Sequence, residues 1–359
     1  MNVDLLSPDS PRWREFLDSV PHDVYHRPEY ARLSRLVDGG EPVGALLSDG
    51  DFGLFIPLLL RNVESGGGGA LRDAISPYGY PGPLLRGSGR AAEEFLRQAL
   101  VELESALRQQ GVVSVLVRMH PLYPLPGFFY DLPGVSRHGV TLSSDLALSA
   151  EELWHATRRG HRTEIAKAER EGRQQVTVDA DWDVYDDFRK IYDETLDRLT
   201  ADAYYYYPEQ YFAELKRTLG DYLHLAVNRI DGEVAFMMVF SECCGIIQTH
   251  LGGVSDKFVS EHPLKLVHHK ARLWAKERGN RFYHLGGGVG AQADSVFYFK
   301  EGFANLRHPY HTWRMIPDPE QYRALVADWE RRSGTAADGL DGWFPAYRKA
   351  PARPAKGHG

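Results

Sequence analysis

Short apolar runs alternate with amphipathic stretches along most of this chain. Residues 42–47 and 52–61 are apolar runs of strand length. Residues 112–118 carry Val112, Val113, Val115 and Val117 directly after Gly111, which predicts a strand following a helix over about 91–110. Between them, 64–70 holds Gly66 to Gly69 and reads as a flexible surface loop. An alternating stretch at 142–148 leads to Ser149, whose hydroxyl can cap a helix with Glu152 three residues on. Helical patterns follow over 151–172, 182–199 and 208–219. Segments 222–229, 234–241 and 245–251, the first two separated by Asp231-Gly232, read as an antiparallel meander. A helix at 263–278 then runs through Gly279 into a strand at 281–285. The alternation of strands and helices predicts the α/β class.

Length sharpens this picture, because 359 residues exceed what one hydrophobic core usually serves. Two domains are expected, 1–144 and 145–332. Residues 333–359 are expected to be a flexible tail, since the stretch after Gly334 is rich in Gly and Pro, including Gly339 and Gly342. The 19 Tyr, 16 Phe and 7 Trp can build aromatic cores or wall a binding cleft. A net charge of −7 argues against indiscriminate nucleic-acid binding but leaves room for a local basic patch. The only cysteines, Cys243 and Cys244, are adjacent, so by themselves they form neither a disulfide framework nor a metal site. A reducing cytoplasm is the expected location. No apolar run reaches the roughly 20 residues needed to span a bilayer, so no membrane insertion is expected.

Four stretches carry a resemblance. They are Ile75-Ser-Pro-Tyr-Gly-Tyr-Pro-Gly-Pro83, Val117-Arg-Met-His-Pro121, the basic stretch Arg158 to Gly172, and Tyr283-His-Leu-Gly-Gly-Gly288 followed by Asp294-Ser-Val-Phe-Tyr-Phe-Lys-Glu-Gly-Phe303. Together, over residues 22–316, they resemble the FemABX and BioF2-like group of GNAT acyltransferases. That resemblance implies two tandem GNAT-like subdomains, the acyl-CoA N-acyltransferase fold, with a central cleft where an activated acyl group meets a primary amine. It implies an amide-forming acyltransferase acting on a small-molecule or peptide acceptor. Aminoacyl-tRNA is the expected donor, acyl-CoA the alternative, and a non-catalytic tRNA-binding or scaffold module the competing non-enzymatic reading.

Amide formation needs an unprotonated amine and hydrogen-bonding or positive groups for the oxyanion of the tetrahedral intermediate. Lys300 ends an aromatic run read as a strand, and Phe299-Lys300 matches the Phe-Lys pair that the resemblance places at the donor site. Gly287, Gly288 and Asp294 lie in the loop before it. The string from Gly286 to Ala291 satisfies the first part of a dinucleotide fingerprint, but the expected strand after it excludes that reading. His250 could take the amine's proton, with a structural histidine as the alternative. Tyr78 and Tyr80, in a Pro/Gly-framed loop, can present fixed phenols or simply pack a turn. Arg118 and His120, expected to alternate to one strand face, can anchor a carboxylate or phosphate or form a structural pair. Tyr206, in the run 204–207, is a candidate acceptor wall or core residue. On a helix at 100° per residue, Arg159, Arg162, Arg170 and Arg173 fall within an arc of about 80°, a stripe for tRNA phosphates or a merely solvated face. Thr157, His161 and Glu164 interrupt the apolar arc opposite. No clean CoA pyrophosphate loop is present. Neither metal-ligand spacing nor an ATP-binding loop is found, so the expected cosubstrate is aminoacyl-tRNA or acyl-CoA, with no cofactor and no metal.

Overall fold

The computed structural model describes residues 1–64, 70–337 and 343–349. The loop glycines Gly66 to Gly69, and Gly339, Gly342 and residues 350–359 of the expected tail, lie outside the described residues. The chain divides into two compact units. The first comprises Met1–Val20, Tyr25–Arg137 and the residues from His311 onward, and the second Pro21–Val24 and His138–Tyr310. The division is thus interleaved rather than a single boundary near residue 145.

In the first unit the chain runs β1 (Asn2–Leu6), α1 (Pro11–Asp18), α2 (Pro28–Asp38), β2 (Glu41–Asp49), β3 (Phe52–Asn62), β4 (Arg72–Ile75), β5 (Leu84–Arg86), α3 (Gly89–Gln109) and β6 (Val112–Arg118). The strand order is β1-β2-β3-β4-β6, with β5 pairing β3. Every pairing is antiparallel except β4 with β6. Helix α3 repeats Ala92, Phe95, Leu96, Ala99, Leu103 and Leu107 at helical spacing, and this stripe is buried against Ile56, Leu58, Val115 and Val117. A second cluster packs Trp13 edge-on to Phe55 at 5.2 Å.

Strand β7 (Val135–Asp145) leads into the second unit, which continues α4 (Ala150–Ala156), α5 (Arg159–Glu171), β8 (Gln174–Val178), α6 (Phe188–Leu199), α7 (Glu209–Leu219), β9 (Leu223–Ile230), β10 (Glu233–Cys243), β11 (Ile246–Val254), α8 (Pro263–Glu277), β12 (Phe282–Gly286) and α9 (Ser295–Glu301). Strand β13 (Leu306–Met315) follows, and α10 (Pro319–Ser333) belongs to the first unit. The strand order in the second unit is β7-β12-β11-β10-β9-β8. Strands β9, β10 and β11 form the expected meander. Beyond it β12 pairs parallel to β11 and antiparallel to β7. One sheet face is apolar: Phe240, Ile247 and Tyr283 pack with Leu266, Val267 and Ala271 of α8 and with Ile165 and Ala168 of α5.

Three expectations change. The single helix over 151–172 is two helices. Ser149 and Glu152 form the expected reciprocal cap of α4, with Glu152 N donating to Ser149 Oγ at 3.1 Å and Ser149 N to Glu152 Oε2 at 2.7 Å. Thr157 then leaves the helical region at ψ 133° and breaks the run. The aromatic run before Lys300 is not a strand but α9. Residues 343–349, placed in a flexible tail from composition, are packed: Phe344 and Tyr347 are buried and the Tyr347 hydroxyl lies 2.7 Å from Ser114 Oγ. A few large apolar rings outweigh the Gly and Pro around them, because each ring buries enough surface to hold a short segment.

Arg348 adds an ionic tie. Asp73 is fully buried, its two oxygens accepting from Arg61 Nε at 2.8 Å and Arg348 Nε at 2.8 Å. Replacing Asp73 by Ala leaves two facing guanidiniums with no anion, so it should cost about 3–5 kcal/mol in urea denaturation. Arg348→Ala should cost clearly less, since Arg61 still neutralises the carboxylate; equal effects of the two substitutions would refute this account.

Candidate functional site

The loop leaving β12 is built by Asp294. Its Oδ1 accepts from Phe297 N at 2.8 Å and caps α9, while its Oδ2 accepts from Val289 N at 2.9 Å and closes the loop. Gly288 is required here, since a Cβ on it would lie 2.0 Å from the Gln292 carbonyl oxygen. The dinucleotide fingerprint is therefore excluded on different ground from the sequence argument. A helix does follow, but Asp294 places its own carboxylate at the helix start, where it takes the Phe297 N–H and the loop's Val289 N–H and would repel a phosphate.

Helix α9 aims Lys300 back at this loop, where Nζ donates to the Gly287 carbonyl at 2.7 Å. The side chain is half-buried, but its ammonium is enclosed, and desolvation pushes its pKa down to about 8, with Asp294 opposing the shift. Phe299 packs beside it. Its carbonyl accepts from His161 Nε2 at 2.9 Å, and its ring lies 5.2 Å from His161 and 5.5 Å from His268. Gly302 lets α5 approach, because a Cβ there would meet the His161 ring at 2.3 Å. Arg158 ties the same two helices, donating from Nη1 to Tyr298 O at 2.7 Å and from Nη2 to Glu301 Oε2 at 2.7 Å.

Two further histidines support this wall from α8. His268 pairs through Nδ1 with the Tyr283 hydroxyl at 2.9 Å, and burial pushes its pKa down to about 3. His269 is likewise buried, its pKa pushed down to about 4 by desolvation and then by Arg272. Burial also lowers the pKa of His161. All three rings are neutral at pH 7 and act as hydrogen-bonding and packing groups.

Phe299, Lys300, Gly287, Gly288 and Asp294 thus form one cluster. The other candidates lie elsewhere. His250, on β11, is held 2.9 Å from the Tyr211 hydroxyl of α7, and desolvation takes its pKa down to about 4. It belongs to an aromatic set with Tyr207, whose ring is 4.4 Å from Tyr211. Tyr206 is 40% exposed and donates to Asp197 Oδ1 at 2.7 Å, while Tyr207 beside it is the buried member of the run. In the first unit, Tyr78, Tyr80, Arg118 and His120 gather around the loop after β4. Arg118 Nη1 donates to Ser76 O at 2.9 Å with its guanidinium 5.5 Å from the Tyr78 ring centre. Tyr30 Oη donates to Tyr78 O at 2.9 Å, and Tyr80 lies 5.9 Å from Tyr25. Strand β6 ends at Arg118, so His120 does not share its strand face. The ring of His120 is buried, 4.4 Å from Tyr123.

On α5, Arg159 and Arg170 are exposed and Arg162 half-exposed. Arg173 lies past the Gly172 cap, in ion pairs with Asp231 and Glu261, and so leaves the stripe. Thr157 and His161, the interruptions of the apolar arc, are buried contact residues. Sequence reading missed a polar row on the other face of the second unit's sheet. Ser241, Gln248, His284 and Ser143 are consecutive register partners across β10, β11, β12 and β7. His308 of β13 reaches Ser143 Oγ at 2.7 Å, and His284 bridges Gln248 and Thr141. All but His308 are buried. The alternation of Gln248 and His250 in an otherwise apolar strand was the available signal.

Residues 155–300 match the family model described as the acetyltransferase (GNAT) domain. The span ends on Lys300. This part of the chain is similar to GNAT acetyltransferase domains. The fold is shared with the crystal structure of FemX, at a TM-score of 0.70 and 12% identity over 90% of this chain and 99% of that one. It is shared also with L-PGS from Bacillus licheniformis, at 0.54 and 18% over 86% and 92% of the two chains. The C-terminal domain of a putative lysylphosphatidylglycerol synthetase from Agrobacterium fabrum gives 0.52 and 16% over 84% and 90%. No curated protein matches the sequence. No helix among the described residues is long and apolar enough to cross a membrane.

The buried histidines of the second unit set an acid limit. Unfolded histidine takes up its proton near pH 6.5, whereas folded His268 and His269 stay neutral down to about 3 and 4. Their contribution to stability is complete above that unfolded value and is lost as the pH falls, by up to about 1.4 kcal/mol per pH unit for each. Urea midpoints measured from pH 7 to 4.5 should fall accordingly, and His269→Gln should make the decline shallower. An unchanged slope in that variant would count against a buried neutral His269.

Proposed function

We propose that the chain forms an amide by moving an aminoacyl group from aminoacyl-tRNA to a primary amine of a small-molecule or peptide acceptor. The observation that carries this reading is Lys300, an enclosed ammonium aimed at the Gly287 loop by a capped helix in a GNAT domain. The acceptor amine attacks the ester carbonyl carbon, and the oxyanion that forms needs a cation or N–H donors beside it. Lys300, mostly protonated at pH 7 with a pKa near 8, supplies that donor. Collapse of the intermediate breaks the ester bond, forms the amide and returns a proton to the tRNA hydroxyl.

The choice of donor rests on the exposed Arg159 and Arg170 and the half-exposed Arg162 on α5, which suit RNA phosphates, and on the missing CoA loop motif. The name of one structural neighbour supports an aminoacyl group as the one moved, since lysylphosphatidylglycerol is a lysyl group on a phospholipid. A second reading, acyl-CoA-dependent N-acetyl transfer, is favoured by the description of the matched family.

Transfer should require charged tRNA, vanish after RNase treatment, weaken with added salt and fall when Arg159, Arg162 and Arg170 are neutralised together. Full activity with an acyl-CoA in tRNA-free reactions would establish the second reading instead. Lys300→Ala should lower kcat by on the order of 100-fold or more, the scale of losing one oxyanion donor. In the unaltered chain activity should decline above about pH 8 as Lys300 loses its proton. Lys300→Arg, whose charge persists, should move that alkaline limb out of range; a limb unchanged in this variant would remove Lys300 from the chemistry.

A further inference from the structure

The two adjacent cysteines gain a third partner in the fold. His22 lies 222 residues away in sequence, yet its Nδ1 is 3.7 Å from Cys244 Sγ. The short segment Pro21–Val24 that carries it belongs to the second unit, as do both cysteines. The three ligand-capable atoms, His22 Nδ1 and the sulfurs of Cys243 and Cys244, all lie within 4.8 Å of one another. Neither cysteine is in a disulfide.

The backbone explains how neighbours in sequence come to share one point. Cys243 ends β10, and Cys244-Gly245 is the whole turn before β11 begins at Ile246. In a continuing strand, Cys244 would point to the opposite face from Cys243. Instead both turn residues have positive φ, 44° for Cys244 and 80° for Gly245, the mark of a type I′ hairpin turn. Asn or Gly is the usual first residue of such a turn. Cysteine there is held in the left-handed region with no turn-forming advantage. The result is a Cys244 sulfur placed next to Cys243 and His22.

We propose that His22 Nδ1, Cys243 Sγ and Cys244 Sγ bind a thiophilic divalent metal ion of the zinc class, with a fourth position open to water. Tetrahedral zinc with S and N ligands at about 2.3 and 2.0–2.1 Å sets an N···S edge of about 3.6 Å, close to the separation present. Cys243 and His22 are buried while Cys244 is exposed, which gives two enclosed ligands and an entry path. Two thiolates and a neutral imidazole balance a divalent charge, so the loaded site is electrically neutral. Glu242 does not compete. Its carboxylate is committed to Arg278 and Asn280, and its strand position faces away from Cys243. Each thiol gives up its proton on binding, and the loaded site clips Pro21–Val24 to the hairpin.

The test uses the full-length, reduced chain, freed of metal by a chelator and titrated with Co2+ as the spectroscopic probe. One equivalent should produce thiolate-to-cobalt charge transfer in the near ultraviolet together with the visible bands of tetrahedral cobalt, and Zn2+ should displace it. Cys244→Ser, an exposed turn substitution that spares the core, should lose about half of the charge-transfer intensity. It should also weaken binding by at least the 10- to 100-fold that loss of an outer partner alone costs. His22→Ala should weaken binding while retaining both thiolate contributions, and thermal unfolding of the unaltered chain should rise on loading but not in Cys244→Ser. Lys300→Ala should bind cobalt normally, which separates this site from the acyl-transfer site. The proposal is overturned by the absence of a charge-transfer band in the folded, reduced chain, by a band unchanged in Cys244→Ser, or by His22→Ala binding as tightly as the unaltered chain.

Discussion

Arg272 is a fully buried cation that no carboxylate among the described residues neutralises. Taking a guanidinium out of water costs several kcal/mol unless neutral groups replace its hydration. Here they come from three directions: Nη2 donates to Thr157 Oγ1 at 2.9 Å, Nη1 to the Phe303 carbonyl at 3.2 Å, and the Phe303 ring lies 5.6 Å away. Burial lowers its pKa to about 10, so it is still charged at neutral pH. Its hydrogen bonds depend on segments that are not otherwise obliged to meet. Thr157 is the corner between α4 and α5, and Phe303 follows α9. Bringing both to α8 fixes where α5 delivers His161, and hence where Phe299 and Lys300 sit. The position of the candidate catalytic lysine is set by a charge that is satisfied only when the corner and the helix are in place.

Around that constraint the second unit assigns different chemistry to the two faces of its sheet. The α8 face carries Phe240, Ile247 and Tyr283. The other carries Ser241, Gln248, His284 and Ser143 in register. Buried polar groups need partners, and His284 finds them in Gln248 and Thr141 and Ser143 in His308, while the Ser241 hydroxyl is buried without one. Burial keeps His250, His268 and His269 of this unit neutral, leaving Lys300 as the group near the Gly287 loop whose proton is exchangeable in the neutral range.

Much of this was legible from local pattern. The β9–β11 meander, the Ser149–Glu152 cap and α8 follow from periodicity and turn chemistry, and the glycine loop with Phe299-Lys300 was recognisable as a motif. Failures occurred where one local signal opposed another. Val296 to Phe299 has strand composition, but the Asp294 cap imposes a helix. Around Tyr347, composition suggested a mobile tail, while two rings and an arginine fasten it. What could not be read at all was tertiary convergence. Nothing in sequence spacing links Arg272 to Thr157, or His22 to Cys244.

The interleaving of the two units bears on the order in which they can mature. A chain made from its N-terminus usually completes its first domain first. Here the second unit has nearly all of its residues once Tyr310 has been made, with Pro21–Val24 already waiting. The first unit still lacks the end of β13, α10 and the residues around Arg348 that neutralise Asp73. Until those last segments leave the ribosome, β6 lacks its β13 neighbour and the buried carboxylate has only one of its guanidiniums. The unit that holds the more N-terminal residues is therefore the later of the two to have its whole set of strands.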